Sequence, residues 1–356
     1  MCAGFPGGRF RVEDVLRLLG ILVTVVFAIA TAIVSWPQFF RLEQTMPIAQ
    51  IVSMRGVLVV AFAALTLLFL LFALSRPMRA FAMSMALVAG VGAIAGGLTL
   101  AMRGYGEALP PETESSVRVM TWNTAGDATG ANQIAQSAVA MNADIVALPE
   151  TAQSVGEDVA IEMRELGRPM WVHHVQYNKE IERGPQSWVT TILISPELGD
   201  YAVIDSSDDG SSNTGMLPSA VVMPVDGTGP TVVAVHAVAP RPAYMDHWQS
   251  DLRWIADQCP KDLNVIIAGD FNATLDHMAP LAAGSGDLGY CHDAASDTGN
   301  GAVGTWPTDV PTLLSAPIDH VMHSDHWKAT GSVVLDTLDG SGSDHRPLIV
   351  QLEPVG

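Results

Sequence analysis

Asn264-Val-Ile-Ile-Ala-Gly-Asp-Phe-Asn-Ala-Thr274 sets a run of apolar residues directly against a turn that carries an aspartate and an asparagine. An apolar run with no polar alternation reads as a strand buried on both faces, here residues 264–268. The arrangement recurs on both sides of it. Val117-Arg-Val-Met-Thr121 leads into Trp122 and Asn123, and Asp144-Ile-Val-Ala-Leu148 leads through Pro149 into Glu150. Residues 231–235 end at His236, residues 318–322 carry Asp319 at their start, and residues 348–352 follow Gly342-Ser-Asp-His-Arg-Pro347. Val189-Thr-Thr-Ile-Leu-Ile194 and residues 219–223 add strands, the second pairing with 231–235 around Asp226-Gly-Thr-Gly-Pro230. Helical spacing appears at 132–141 and at 244–257, where Trp248, Leu252 and Ile255 share a face. Many strands with few helices predict an α/β sandwich of packed sheets. No GxGxxG fingerprint, P-loop or internal repeat is present.

The polar residues at the strand ends are of one chemical kind. Asn123, Glu150, Asp270, Asn272, Asp319 and Asp344 offer hard oxygens, which suit Mg²⁺ or Mn²⁺. His236 and His345 add imidazoles, and histidines near carboxylates suit proton transfer or stabilisation of charge on a phosphate.

In that order the segments Thr121-Trp-Asn-Thr, Ile145-Val-Ala-Leu-Pro-Glu150, Val235-His-Ala-Val-Ala-Pro240, Gly269-Asp-Phe-Asn-Ala-Thr274, Ile318-Asp-His-Val321 and Gly342-Ser-Asp-His-Arg-Pro347 resemble the motifs of the endonuclease/exonuclease/phosphatase superfamily, the deoxyribonuclease-I-like fold. Each motif alone is weak; six in order across 117–352 are specific. The resemblance implies a four-layered α/β sandwich, two packed mixed β-sheets flanked by helices, and a phosphoester hydrolase using Mg²⁺ or Mn²⁺. It also implies roles. Glu150 is the principal metal ligand, with Asn123 and Asp344 completing or supporting the site. His345, paired with Asp319, contacts the phosphate. Asp270 orients or deprotonates the attacking water, Asn272 holds a phosphate oxygen, and His236 contacts phosphate or assists the leaving group. One metal or two both fit. The pattern departs at one point: nuclease relatives support the histidine matching His236 with a second glutamate, and Gly184-Pro-Gln-Ser-Trp188 offers no carboxylate there.

The front of the chain has a different composition. Up to Gly104 there are eight Lys and Arg against three Asp and Glu; after it, ten against 34, within a total net charge of -19 over 356 residues. Residues 18–36, 56–75 and 80–102 are free of charge and of bilayer-spanning length, flanked by Arg17, Arg55, Arg76, Arg79 and Arg103. The expected organisation is a membrane anchor of three transmembrane helices over 1–104, a linker over 105–116 and a catalytic domain over 117–356. Arg9, Arg11, Arg17, Arg76 and Arg79 outnumber Arg41 and Arg55, which places the N-terminus inside and the catalytic domain outside, extracellular or periplasmic. Trp36, Phe39 and Phe40 suit the outer interface. Cleavage after Ala28-Ile-Ala30 would still leave two spans. Cys259 and Cys291 could pair in an oxidising envelope or remain buried thiols; Cys2 lies in the front segment.

Other features read as structural. His320, His323 and His326 do not converge from a strand leading into a turn, and read as a solvated loop rather than a zinc site. Asp276-His277 reads as structural rather than catalytic. Gly304-Thr-Trp-Pro307 could line a cleft or pack in the core, and 205–213 reads as a surface loop rather than a calcium site. Three function classes compete. The first is a hydrolase acting on nucleic acid, lipid or a small phosphoester. The second is a non-catalytic binding or sensor module on the same fold, against which the intact polar set argues. The third is a transporter, disfavoured because the spans hold no internal Asp, Glu, Lys, Arg or His. The acidic rear repels polyanions, though a cation can neutralise a phosphate locally. No protein partner is expected beyond substrate and lipid bilayer.

Overall fold

A computed structural model describes residues 12–177, 184–204 and 213–355. Cys2, Arg9, Arg11 and nearly all of the acidic stretch at 205–213 lie outside the described residues.

Among the described residues, twelve strands form two six-stranded mixed sheets. The strands are β1 (Val117–Thr121), β2 (Ile145–Pro149), β3 (Trp171–Gln176), β4 (Val189–Ile194), β5 (Tyr201–Val203), β6 (Ala220–Pro224), β7 (Thr231–His236), β8 (Val265–Asp270), β9 (His292–Asp293), β10 (Asp319–His323), β11 (Trp327–Val334) and β12 (Leu348–Pro354). One sheet has the order β11-β12-β1-β2-β4-β3, the other β5-β6-β7-β8-β10-β9. Each has one parallel pair at its centre, β1 with β2 and β7 with β8.

Alternate side chains go to opposite faces, so each central strand feeds two cores. Val232, Ala234, Ile266 and Ala268 point between the sheets, against Val119, Ile145, Ala147, Ile192 and Val350. Val233, Val235, Val265 and Ile267 point outward onto Trp248, Leu252 and Ile255 of the helix Met245–Asp257. Val146, Leu148 and Leu193 do the same under the helices Ala131–Ala140 and Gln153–Glu165. The result is helix, sheet, sheet, helix. Burial on both faces explains the uninterrupted apolar runs in β7 and β8.

The 318–326 segment corrects one expectation. His320 and His323 are buried, at 3% exposure each, in a strand rather than a solvated loop. Both ring nitrogens of His320 are satisfied: Nδ1 pairs with Asp293 at 2.7 Å and Nε2 with the Ala273 carbonyl at 2.9 Å. Those bonds let a polar ring sit in the core and leave it no electron pair for zinc.

The three helices Val12–Ser35, Arg55–Phe72 and Arg79–Arg103 are long and apolar enough to cross a membrane. Gly92 and Gly96 of the third let its neighbours come close. A Cβ on Gly92 would come within 2.8 Å of Thr31 in the first helix and 3.1 Å of Phe62 in the second, and one on Gly96 within 2.7 Å of Val59 in the second. The first helix is already formed at Val12, ahead of the apolar run.

These helices dock on the sandwich through buried polar contacts. Asp276, 3% exposed, accepts from Arg55 at 2.7 Å and Arg103 at 3.0 Å, with Gln38 donating at 3.0 Å. His277 caps its own short helix through Nδ1 and meets the Ala49 carbonyl through Nε2 at 2.9 Å. Asp276-His277 is therefore structural, as read from sequence. The segment 105–116 lies against the sandwich, with Gly106 N–H on the Gly299 carbonyl and the Pro110 carbonyl on Arg118.

Candidate active site

Strand register puts the polar residues in a row. His236 lies opposite Asp270 across β7–β8, and Asp270 lies opposite Asp319 across β8–β10. Gly269 makes the approach possible: at φ +152° its Cβ would sit 2.0 Å from the Val235 carbonyl oxygen. Beyond the strand the chain turns sharply at Asn272, held at φ 47°. Its backbone N–H donates to Asp270 Oδ1 at 2.8 Å, and its amide donates to Asp270 Oδ2 at 3.2 Å and to the Ala237 carbonyl at 2.9 Å.

The facing sheet contributes Asn123 after β1, Glu150 after β2 and His345 before β12. Glu150 also has a positive φ, 59°, with its N–H bonded to the Val189 carbonyl at 3.0 Å. Non-glycine residues rarely adopt this conformation, and the cost is accepted where a side chain must be aimed. Asn123 Nδ2 bridges the sheets, donating to Asp270 at 3.0 Å and Glu150 at 3.2 Å. Glu150 Oε1 lies 3.5 Å from His236 Nε2.

His345 Nδ1 meets Asp319 Oδ2 at 2.8 Å, and its Nε2 points toward Asp270 Oδ2 at 3.8 Å. Three bonds fix its backbone: its N–H donates to Ser343 Oγ at 3.0 Å, Ser343 Oγ donates to the Asn123 carbonyl at 2.6 Å, and Trp122 Nε1 donates to the His345 carbonyl at 2.8 Å. Thr305 Oγ1 accepts from the N–H groups of Ile318 and Asp319, both at 3.2 Å, setting the start of β10.

The charges follow from this packing. Burial alone would lower the His345 pKa, but the Asp319 and Asp270 carboxylates outweigh it and raise it well above the ordinary histidine value. Burial, then the cationic His345 nearby, push His236 down to about 3, so it is neutral. Burial raises Asp270, with His345 opposing and Asp319 adding. The site therefore pairs a cationic imidazole with a neutral one and holds between them a carboxylate that accepts a proton more readily than usual.

Seven of the eight residues singled out from sequence form one contact network: Asn123, Glu150, His236, Asp270, Asn272, Asp319 and His345. Asp344 stands apart, exposed, with its carboxylate accepting from Trp306 Nε1 at 2.9 Å. Asn123 departs from a simple oxygen ligand, because its amide N–H groups serve the two carboxylates and its oxygen accepts from Ala125 N–H at 3.0 Å. No carboxylate is bonded to His236 Nδ1 among the described residues; a backbone group of Ser187 adjoins the ring.

Ser343, Trp122 and Thr305 were not picked out from sequence. Their neighbours in the motifs were the only signal. In the 304–307 segment Thr305 is buried, while Trp306 is partly open beside Asp344. Arg346, 1% exposed, ties this segment down through the carbonyls of Gly304, Pro307, Thr308 and Val310, Ser315 Oγ and Asp339.

The donor set is compatible with a divalent cation. Asp270, Asp319 and His345 offer ligand atoms within 4.8 Å of one another, and Asp319 Oδ1 is buried without a hydrogen-bond partner. A protonated His345 cannot itself be a ligand. The partly open Glu150 carboxylate is the more accessible oxygen donor.

The family model for the Endonuclease/Exonuclease/phosphatase family matches residues 120–345. Among solved structures, an endonuclease/exonuclease/phosphatase from Beutenbergia cavernae is similar at 19% identity and TM-score 0.52, over 68% of this chain and 72% of that one. A Bacteroides vulgatus endonuclease/exonuclease/phosphatase matches at 15% identity and TM-score 0.50, over 68% of this chain and all of its own. D. rerio TDP2 complexed with a single-strand DNA product matches at 16% identity and TM-score 0.50, over 67% of this chain and all of its own. At these identities the likeness is one of fold. No curated protein matches the chain.

Proposed function

The chain belongs to the endonuclease/exonuclease/phosphatase family of phosphoester hydrolases, and from that premise we propose that it is a membrane-anchored, divalent-metal-dependent member acting by in-line attack of water on phosphorus. The observation that carries this reading is the convergence of His236, Asp270, Asn272, Asp319 and His345 with Asn123 and Glu150 at one end of both sheets.

Asp270 faces the reacting centre as base. Asn272 and Asn123 donate to its carboxylate, aiming its free electron pairs at the attacking water. As the water oxygen bonds to phosphorus, its proton passes to Asp270 and the ester P–O bond to the leaving alcohol breaks. His345, kept cationic by Asp319, stabilises the charge that builds on the phosphoryl oxygens. Asn272 adds an amide donor beside it. His236, neutral and 3.5 Å from Glu150, is placed for the leaving oxygen, which takes up a proton to become the alcohol. Glu150, oriented by the Asn123 amide, would hold Mg²⁺ or Mn²⁺, which would supply Lewis-acid charge at the phosphate.

Two observations support an outside location. The basic residues favour an inner N-terminus, and Cys259 and Cys291 form a disulfide with Cα atoms 5.6 Å apart, a bond that persists in oxidising compartments. The test is a phosphoester panel on the full chain in detergent, with Mg²⁺, Mn²⁺ or chelator, beside Asp270→Ala. Turnover should need the cation and fall by about 10²–10⁴ in the variant; equal turnover by both proteins would remove this mechanism.

A further inference from the structure

The three apolar helices and the catalytic residues meet at the same end of the sandwich. β1, β2, β7 and β8 run toward that end and β10 and β12 away from it, so the loops after His236 and Asp270 and before Asp319 and His345 all gather there. Those loops carry the docking contacts. Arg55, the first residue of the second long helix, and Arg103, the last of the third, both reach Asp276 in the loop after Asn272. Gln50 donates to the Pro240 carbonyl in the loop after β7, and Gln44 to the His277 carbonyl. A Cβ on Gly56 would sit 1.7 Å from the Leu313 carbonyl oxygen. The loop that positions Trp306 beside Asp344 therefore rests on the start of the second helix.

Distance makes this consequential. Asp276 is four positions beyond Asn272, so their Cα atoms are at most about 14 Å apart. Asp276 in turn is in contact with the end of a helix. The far end of β8 lies a strand length beyond, about 20 Å further off. A headgroup layer occupies roughly 5–8 Å on each side of the hydrocarbon core. With Arg55 and Arg103 at the edge of the hydrocarbon, the catalytic loops would lie at or just above the height of lipid phosphates. The side chains around this junction suit that height: Trp36, Phe39, Phe40, Met46 and Leu313 are exposed, Phe39 at 83%. The charge argues in the same direction. With ten Lys and Arg against 34 Asp and Glu after Gly104, the catalytic part lacks the cations that hold a nucleic-acid polymer.

Resting on the hydrolase reading above, we propose that the substrate is the phosphoester of a lipid headgroup in the leaflet that the catalytic end faces. The anchor then does more than tether: it fixes the catalytic mouth at the substrate's depth. Water attacks the headgroup phosphorus, the ester P–O bond breaks, and the released alcohol takes up the proton.

The full chain, reconstituted in vesicles of phosphatidylcholine, phosphatidylglycerol, sphingomyelin and phosphatidylinositol 4-phosphate with Mg²⁺ and Mn²⁺, is assayed for phosphate or phosphorylated headgroup released into water and for lipid product. In parallel it receives the same lipids in protein-free vesicles, bis(p-nitrophenyl) phosphate and a single-stranded oligonucleotide. Lipid sharing the enzyme's bilayer should turn over at least about tenfold faster than lipid in separate vesicles. Asp276→Asn should lower lipid turnover about tenfold while turnover of bis(p-nitrophenyl) phosphate stays within about threefold. Cleavage of the oligonucleotide or the soluble diester with no lipid turnover overturns the lipid assignment and leaves the hydrolase reading standing. No turnover of any substrate removes both. Equal loss on lipid and soluble diester in the variant overturns the role given to the docking.

Discussion

Asp319 and His345 show how a single contact sets the chemistry of the site. The Asp319 side chain is fully buried, and its Oδ2 lies 2.8 Å from His345 Nδ1. Burial works against the imidazolium, and the two carboxylates win. A raised histidine pKa means that whatever depends on the cation is present at low and neutral pH and lost as pH rises through the folded value. Asp319→Asn removes the first of the two supporting charges, so the alkaline limb of kcat/KM against pH should move down by about one unit or more. An unmoved limb would detach His345 from the rate. Arg346 makes the complementary point about stability. Its partner Asp339 is 37% exposed, so the ion pair itself is worth little. The four carbonyls and the Ser315 hydroxyl around its guanidinium matter more, because Arg346→Met strands them in the interior. Thermal unfolding should register a loss of about 3 kcal/mol or more. At this scale the sequence was highly legible: Asp270, Asn272, Asp319 and His345 sit at strand ends where a core residue has no reason to be polar. Ser343 and Thr305 were not, because a hydroxyl that orients a backbone N–H leaves no spacing to read.

Among the elements, β7 and β8 could be read directly, since burial on both faces requires continuous apolar residues. The β11 strand could not. Lys328, Thr330 and Ser332 alternate along it, and the bulge between Ala329 and Gly331 breaks its register with β12, so it lacks the apolar run that marks the interior strands. The helix Gln153–Glu165 has Gly156, Val159 and Met163 on its buried face, and a glycine in that stripe weakens the signal. The disulfide joins the chain just after the helix Met245–Asp257 to the loop before β9. Its half-cystines are 32 residues apart. Closing a loop of that length in the unfolded chain is worth about 3–4 kcal/mol, so Cys259→Ser should lower the unfolding free energy by that amount in denaturant titration. A loss under about 1 kcal/mol would mean that native packing already supplies the constraint.

For the whole molecule, the contact between helices and sandwich is the feature with most consequence. Burial would raise the Asp276 carboxyl, but Arg103 and Arg55 hold it well below the ordinary value of 3.8. A depressed carboxylate contributes stability that is complete above its unfolded value and lost only as pH falls through the folded one. Hydrogen exchange across residues 272–281 of the full chain, corrected for intrinsic rates, should therefore stay constant from pH 7 down to about 4 and rise only below that. A rise already between pH 7 and 5 would show that another group governs the docking. The sequence by itself determined the classes of element, the two contrasting compositions, the three apolar helices and the identities of the polar residues at the strand ends, because periodicity and hydropathy are local properties of the chain. The tertiary structure alone decided that Cys259 meets Cys291, that Asp344 lies outside the contact network, and that Arg55 and Arg103 converge on Asp276 from 173 or more residues away. Contacts of that kind depend on how whole sheets and helices stack. No local pattern records which buried charge will find which partner.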